Sequence, residues 1–329
     1  MGIGLLKSKP SFGGFFLFGW VVQYLNRRQF DCSLEYTTFF WLGISAIPII
    51  AYFLIPKGTP LHEVVHLPYY WLLVKTEESA RPTGQKHFYG EDSRQYYLLF
   101  PPQETSKNKD RVIIYFHGGA WRYGRPELFT LVAERFTQKG FITVLPSCRR
   151  TPRFNYQDVR LDLNKMIVSI KRHFPERDIK FIVGGMSSGG NLAAHLFYNQ
   201  KALINQGFSQ QEFLGLVLLG APLDLAAMPR NTHVSSFAGK PSSPLFSEAN
   251  VQVHVQAEDQ RAVLCIHGEQ DGLVPIASAR QFFAALDQIG SANAKRLHPP
   301  QASHLDVAGW VRKNSPFHQV IMDWLDDLG

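Results

Sequence analysis

Ser187 is the residue whose surroundings point most directly to chemistry. It lies at the centre of the sequence GMSSG at positions 185–189, after an apolar run at 181–183 and before a helix-forming stretch from Asn191. A G-x-S-x-G sequence between a strand and a helix is typical of a serine that a sharp turn lifts above the edge of a sheet. The glycines permit close approach of neighbouring backbone. We therefore predict that Ser187 is a nucleophile; a glycine-rich turn without chemistry is the alternative.

A second glycine-rich sequence, HGGAW at positions 117–121, follows the apolar run at 112–116. Acyl transfer builds negative charge on a carbonyl oxygen, and fixed backbone N–H groups stabilise that charge. The expected donors of this oxyanion hole are Gly119 and Ala120, with Gly118 as a further candidate, and Ser188 after the nucleophile. An ordinary turn after a strand is the alternative, and His117 is expected to be a structural hydrogen-bonding residue rather than a base.

An acid and a base follow later in the chain. Asp271 comes after the apolar run at 262–266, and His304 lies in a loop before the last predicted helix. An imidazole can accept the serine proton near neutral pH, and a carboxylate can hold that imidazole in the correct tautomer. We predict these roles for Asp271 and His304, with Glu269 as the rival acid and His298 as the rival base.

The order Ser187, Asp271, His304 is the serine–acid–histidine order of the α/β-hydrolase fold. On these three residues and the sequences at 117–121 and 185–190, the chain resembles the α/β-hydrolase superfamily. Within it, the chain is similar to the carboxylesterases and lipases of the hormone-sensitive-lipase type. The resemblance covers the chain from about residue 96 onward. It implies hydrolysis of carboxylic esters through an acyl-enzyme on Ser187, without a metal or an organic cofactor.

Three residues depart from the usual pattern of that family. Ala120 stands where a third glycine is usual, and Met186 and Ser188 stand where aspartate and alanine are usual around the serine. The form His-Gly-Gly-x-Trp also occurs in relatives that resemble arylformamidases and prenylcysteine methylesterases. Amide, formamide or prenylcysteine-ester hydrolysis therefore remains an alternative, as does a non-catalytic binding protein on the same fold.

The elements that must position these residues alternate between strand and helix, which predicts a mostly parallel sheet with helices on both faces. A polar loop at 104–110 is expected to join its flanking strands as a hairpin. The predicted strands are 96–100, 112–116, 141–145, a strand from 181, 214–219, 262–266 and 294–297, and the predicted helices are 126–139, 156–174, a helix from 191, 276–289 and 317–328.

Residues 1–60 differ from the rest and are predicted to be an apolar, membrane-associating segment. Residues 37–55 form a run of 19 residues without a charge, which is a candidate transmembrane helix. A buried helical hairpin packed on the catalytic domain is the alternative. Residues 56–60 are predicted to be a linker, and 61–329 a hydrolase domain with a cap or lid insertion around 221–261, where the connection is too long for a simple loop.

Composition excludes several classes of function. The formal net charge is +7, but no dense run of lysine and arginine suggests nucleic-acid binding. The three cysteines are far apart and have neither disulfide nor metal-ligand spacing, and Cys265 is expected to be a core residue. The expected partners are a small-molecule or lipid-derived ester and a membrane.

Overall fold

The computed structural model describes residues 54–77, 82–102, 108–175, 177–256, 259–290 and 293–328. The chain divides into two compact units, Met1–Phe53 and Leu54–Gly329, and the described residues belong to the second. The predicted transmembrane run at 37–55 therefore lies almost entirely outside them. Among the residues described, no helix has both the length and the apolar character needed to cross a bilayer.

An eight-stranded sheet forms the centre of the second unit. Its strand order is β1-β2-β4-β3-β5-β6-β7-β8, antiparallel at β1 and β2 and parallel elsewhere. The central strands are almost continuously apolar because helices cover both of their faces. The strands are β1 (Gln85–Phe88), β2 (Tyr96–Phe100), β3 (Arg111–Phe116), β4 (Ile142–Pro146), β5 (Lys180–Met186), β6 (Phe213–Leu219), β7 (Ala262–Ile266) and β8 (Ala294–Leu297).

Alternate residues of the strands enter two separate cores. In β3, Val112 and Ile114 belong to one core and Ile113 and Tyr115 to the other. This alternation confirms that the sheet is covered on both faces, and the strand pairing confirms that it is mostly parallel. The helices are α1 (Pro60–Thr76), α2 (Thr130–Gln138), α3 (Tyr156–Lys171), α4 (Ser188–Tyr198), α5 (Gln200–Ile204), α6 (Thr232–Ala238), α7 (Pro244–Ala249), α8 (Ile276–Gln288), α9 (His304–Ala308) and α10 (Pro316–Asp326).

The predicted strands are confirmed, and each begins within one residue of its predicted position. The predicted hairpin is wrong. Strand β2 pairs with β1 and β4, whereas β3 lies between β4 and β5. Strand β4 follows β3 through helix α2, and this parallel crossover inserts β4 between β2 and β3. Residues 104–107 of the predicted loop lie outside the described residues. Local polarity in the sequence could not show which strands pair.

Strand β1 and helix α1 are among the elements that the sequence-based prediction lacks, as are the short helices α5 and α9. His304 therefore begins a helix, and its predicted position within a loop is wrong. Strand β1 is short and mostly exposed, so it lacks an apolar pattern. Helix α1 begins directly after the predicted linker, and the Thr59 side chain caps it by accepting a hydrogen bond from His62 N. The linker is anchored rather than free, because Lys57 forms a salt bridge of 2.6 Å with Asp306.

In its described residues, the predicted insertion at 221–261 contains two short helices, α6 and α7, and two 3-10 turns, Leu225–Ala227 and Val251–His254. It contributes buried apolar side chains to the core, among them Phe237 and Phe246. The Phe237 ring stacks on Trp121 of the HGGAW sequence, with ring centroids 4.4 Å apart. The insertion is thus packed against the loop after β3, and its role as a cap stays a prediction.

Gly189 permits the start of helix α4 to lie against the end of strand β3. A Cβ at this position would overlap the backbone carbonyl oxygens of Phe116 and His117. We expect Gly189→Ala to lower the free energy of unfolding by about 1–3 kcal/mol, measured by urea denaturation, because rigid backbone must move. Gly309→Ala is the matched control, since a Cβ there meets nothing within 4 Å; it should change stability by less than about 0.5 kcal/mol. Equal effects of the two substitutions would contradict the packing argument.

Candidate active site

Ser187 occupies a strained turn between strand β5 and helix α4. Its backbone has φ 55° and ψ −130°, an uncommon conformation for a residue with a side chain. Strand β6 stabilises this turn, because Ser187 N donates a hydrogen bond of 2.8 Å to Leu219 O at the end of that strand. Gly185 lies in close contact with Gly189, where a Cβ on Gly185 would be 2.5 Å from the carbonyl carbon of Gly189. The predicted strand–turn–helix context of Ser187 is therefore present.

The loop after strand β3 lies against this serine. A Cβ on Gly118 would be 3.2 Å from the Cβ of Ser187 and 3.2 Å from Met186 O. Ser188 is the first residue of helix α4, where backbone N–H groups have no acceptor within the helix. The predicted donors Gly118 and Ser188 thus flank the predicted nucleophile.

The carbonyl groups of this loop fix the direction of its N–H groups. Gly119 O accepts hydrogen bonds from Arg122 N at 2.9 Å and Tyr123 N at 2.7 Å. In a trans peptide the C=O and the N–H point in opposite directions, so the N–H of Ala120 points away from this turn. The positive φ of Gly119 (137°), Ala120 (52°) and Trp121 (56°) produces the arrangement. That these N–H groups bind an oxyanion stays a prediction.

His117 orients the neighbouring peptide in the same way. Its Nδ1–H donates to Gly118 O at 2.7 Å, which turns the N–H of Gly119 to the opposite side. The ring is stacked on Phe129, with centroids 5.2 Å apart. Burial lowers the pKa of His117 to about 4, so the ring is neutral near pH 7. His117 is therefore a structural donor and not a base.

Asp271 and His304 form a buried pair. His304 Nδ1–H donates to Asp271 Oδ2 at 2.6 Å, and the two residues are 4% and 8% exposed, respectively. Asp271 Oδ1 accepts hydrogen bonds from Leu273 N at 2.9 Å and Val274 N at 2.7 Å. These contacts fix the tautomer of His304 with a lone pair on Nε2, which is the form that can accept a proton.

The charges of the pair shift both pKa values. Burial alone would lower the pKa of His304, but the charge and hydrogen bond of Asp271, together with the charge of Glu63, raise it above its ordinary value. Burial alone would raise the pKa of Asp271, but His304 and, to a lesser extent, His267 and the Val274 N–H lower it. Each group therefore stabilises the charged form of the other.

The rival residues are engaged elsewhere. Glu269 forms a salt bridge of 2.5 Å with Arg280 at the surface. Burial lowers the pKa of His298, which lies at the end of β8 and makes no described contact with Asp271. The structure therefore brings together the acid and the base chosen from the sequence rather than these alternatives.

Gly220 connects the acid–base pair to the serine turn. It follows Leu219, whose carbonyl accepts from Ser187 N, and it has a positive φ of 51°. A Cβ on Gly220 would be 3.2 Å from both Asp271 Oδ2 and His304 Nδ1. The contacts between described residues do not include a hydrogen bond from Ser187 Oγ to His304, so the complete triad stays a prediction.

Asn191 is a positioning residue that sequence reasoning missed. Its side chain is fully buried, accepts a hydrogen bond from Trp121 Nε1 at 3.2 Å and donates to Pro222 O at 2.9 Å. It thereby ties helix α4 to the HGGAW loop and to the start of the insertion. A polar amide within an apolar helix was the available signal, because such a residue must find partners when it is buried.

A cavity of about 390 Å³, including its open mouth, adjoins the oxyanion loop. Apolar, aromatic and polar residues line it, including two arginines. Its lining residues are Phe116, His117, Gly118, Trp121, Tyr123, Pro146, Cys148, Arg149, Arg150, Val159, Ser188 and Leu192. In the described part of the chain, no three histidine, cysteine or acidic side chains cluster in a way that could hold a metal ion.

Sequence comparisons with known proteins identify a matching family and similar relatives. The sequence profile of the BD-FAE family matches residues 98–286. Esterase LipQ of Mycobacterium tuberculosis is 30% identical over 224 residues, which cover 61% of this chain and 52% of that protein. A rice (Oryza sativa subsp. japonica) protein described as "Probable isoprenylcysteine alpha-carbonyl methylesterase ICME" is 23% identical over 288 residues, covering 81% of this chain and 66% of that protein.

Solved structures of esterases share the fold. Esterase B from Lactobacillus rhamnosis superimposes with a TM-score of 0.67 at 16% identity, covering 80% of this chain and 91% of that one. Thermogutta terrifontis esterase 2, phosphonylated by sarin, superimposes with a TM-score of 0.60 at 20% identity, covering 76% of this chain and 95% of that one. At this identity the likeness establishes the α/β-hydrolase fold alone.

Removal of the Asp271 charge should change the titration of His304. We expect Asp271→Asn to lower the pKa of His304, because the carboxylate stabilises the imidazolium. A histidine-selective NMR titration measures this value, and His304→Gln identifies the resonance by its disappearance. Glu269→Gln is the control and should leave the resonance unmoved. An unchanged pKa in Asp271→Asn would mean that the two side chains do not pair in solution.

Proposed function

This chain belongs to the BD-FAE family, and from this membership and the geometry of the site we propose that it is a serine carboxylic-ester hydrolase of the esterase or lipase type. Ser187 is the nucleophile, His304 the general base and acid, and Asp271 the acid that orients His304. The backbone N–H groups of Gly119, Ala120 and Ser188, with Gly118 beside them, form the oxyanion hole.

The proposed reaction proceeds through an acyl-enzyme. His304 Nε2 accepts the proton of Ser187 as the serine oxygen attacks the ester carbonyl, and the oxyanion hole binds the resulting negative charge. The C–O bond to the alcohol then breaks, and the alcohol leaves with the proton from His304. Water attacks the acyl-enzyme by the same route, which releases the acid and restores the serine.

The buried Asp271–His304 hydrogen bond of 2.6 Å carries this proposal. Gly220 brings this buried carboxylate and imidazole close to the strained serine turn, which supports the proposed acid, base and nucleophile for acyl transfer. The names of the relatives support an esterase. The chain spans about half the length of the mycobacterial relatives that it matches, at 52% and 51%. The proposed activity and substrate therefore depend mainly on the geometry of the site.

The substrate is proposed to be an apolar or lipid-derived ester, because six of the twelve residues that line the cavity beside the oxyanion loop are aromatic or aliphatic. The same machinery serves amides, formamides and prenylcysteine esters, and the name of the rice relative keeps the last of these open. Acyl esters of graded chain length, assayed beside a formamide and a prenylcysteine methyl ester, separate these substrates.

Membrane association is proposed from the charge-free run at 37–55 and from the unusual polarity of helix α1. This helix buries His62, Glu63 and His66. Its exposed side presents large apolar residues, which are Leu61, Val64, Leu67, Tyr69 and Leu72. An apolar helix face on the outside suits a lipid surface better than water.

Ser187→Ala should abolish turnover of p-nitrophenyl butyrate, with a loss of about 10⁴-fold or more, because no other side chain supplies the nucleophile. The same variant should fail to react with a fluorophosphonate probe while it retains the circular dichroism spectrum of the wild type. Ser188→Ala is the matched control, since its proposed role uses only the backbone N–H, and it should retain labelling. Labelling of Ser187→Ala at the wild-type rate would refute the assignment. Absence of labelling in the wild type would favour a binding protein.

The full chain should float with vesicles of phosphatidylcholine and phosphatidylglycerol in a density gradient. A chain that begins at Leu54 should float much less, because it lacks most of the charge-free run. Substitution of Val64 and Leu72 by serine in the full chain measures the separate contribution of the exposed face of α1. Equal flotation of the full and shortened chains would contradict the proposed role of the N-terminal segment.

A further inference from the structure

Glu63 is a buried carboxylate that contacts both loops of the acid–base pair. It lies on helix α1, far from the site in sequence, and it is 2% exposed. Its Oε1 accepts hydrogen bonds from Gly272 N at 3.2 Å and from His304 N at 2.9 Å. Its Oε2 accepts from Leu305 N at 3.2 Å. Oε1 of Glu63 therefore connects the loop that carries Asp271 to His304.

We propose that Glu63 is a positioning residue that holds Asp271 and His304 in register and stabilises the charged form of the imidazole. The inference rests on the proposed function of that pair. Glu63 acts through the backbone of Gly272, which follows Asp271, and through the backbone of His304 itself. A residue of helix α1 thereby sets the separation of two loops that are 33 residues apart.

Other contacts of the same segment keep Glu63 in place. Lys57 Nζ donates to Gln301 O at 2.9 Å and forms the salt bridge with Asp306. The backbone of Thr59 lies so close to Gly272 that a Cβ on this glycine would overlap Thr59 O. Residues 57–63 thus contact both the loop of Asp271 and the loop of His304. Glu63 is the buried acidic residue of this segment.

A carboxylate suits this position because all three partners are N–H donors. An ionised carboxylate only accepts hydrogen bonds, whereas a glutamine would direct an NH₂ group at one of the donors. Leu305 and His304 are the first residues of helix α9, whose N–H groups lack partners within the helix. The third first-turn N–H, that of Asp306, donates to Ser303 Oγ at 3.3 Å.

The charge of Glu63 also acts on the base. The charged and titratable groups that face His304 are Asp271, Glu63 and His267, with the Lys57–Asp306 pair on the first turn of α9. Asp271 and Glu63 raise the pKa of His304. When His304 accepts the serine proton, a positive charge develops on its ring, and the negative charge of Glu63 stabilises that state.

Glu63→Gln in the full chain tests this role. With p-nitrophenyl butyrate we expect kcat to fall about 10- to 100-fold while KM changes by less than about twofold, since the reacting groups are displaced but the cavity is intact. The acid limb of the profile of kcat/KM against pH should move to lower pH, because loss of the Glu63 charge lowers the pKa of the base. The melting temperature of each variant is measured alongside.

Glu91→Gln is the matched control, because it makes the same chemical change at an exposed glutamate that has no described contact with the acid–base pair. It should leave kcat and the acid limb at the wild-type values. A shift of the limb in Glu63→Gln but not in Glu91→Gln supports the inference. An unmoved limb in Glu63→Gln, or equal changes in both variants, overturns it.

A second measurement separates this inference from the proposed activity. Glu63→Gln should lower the pKa of His304 in the histidine NMR titration, whether or not the wild type hydrolyses esters. If the wild type is inactive and the titration shifts, the proposed function fails and the electrostatic link between Glu63 and His304 stands. If the titration does not shift, the inference fails, whatever the activity of the wild type.

Discussion

The hydrogen bond between Asp271 and His304 is the interaction that the rest of the site depends on. Burial of two ionisable groups costs free energy unless each finds partners, and this pair is surrounded by them. Leu273 N and Val274 N satisfy the second oxygen of Asp271, and Glu63 holds the backbone of His304. The neighbouring loops therefore have one favourable arrangement, and that arrangement leaves Nε2 of the imidazole with its lone pair for proton transfer.

Close backbone contacts around the serine turn provide a second constraint. The turn at Ser187 keeps an uncommon conformation because β6 binds it through Leu219 and because Gly118 and Gly189 bring other backbone within contact distance. Glycine is needed for space at Gly189, whereas a Cβ at Gly118 would be a tight fit; at Gly220 a tight fit is combined with a positive φ. Rigid elements on three sides thus hold the strained residue, which is how local strain persists at functional sites.

Helix α1 combines two surfaces with opposite chemistry. Its inner side carries Glu63 and two buried histidines, of which His62 stacks on His66 with centroids 3.8 Å apart. Its outer side carries exposed apolar residues such as Val64 and Leu72. Only the C-terminal part of the helix packs apolar residues inward, namely Tyr70, Trp71 and Val74. This mixed distribution explains why apolar periodicity did not predict the helix.

The sequence by itself determined the chain order of Ser187, Asp271 and His304, the two glycine-rich loops and most strands, because these follow from local turn chemistry and from continuous apolar runs. The tertiary structure alone decided that β4 separates β2 from β3, that Asp271 rather than Glu269 meets His304, and that helix α1 supplies Glu63. Strand pairing and burial of a carboxylate are settled by contacts between residues distant in the chain, which leave no local pattern. All three hydrogen-bond partners of Glu63 lie more than 200 residues away, so the sequence around Glu63 does not indicate its role.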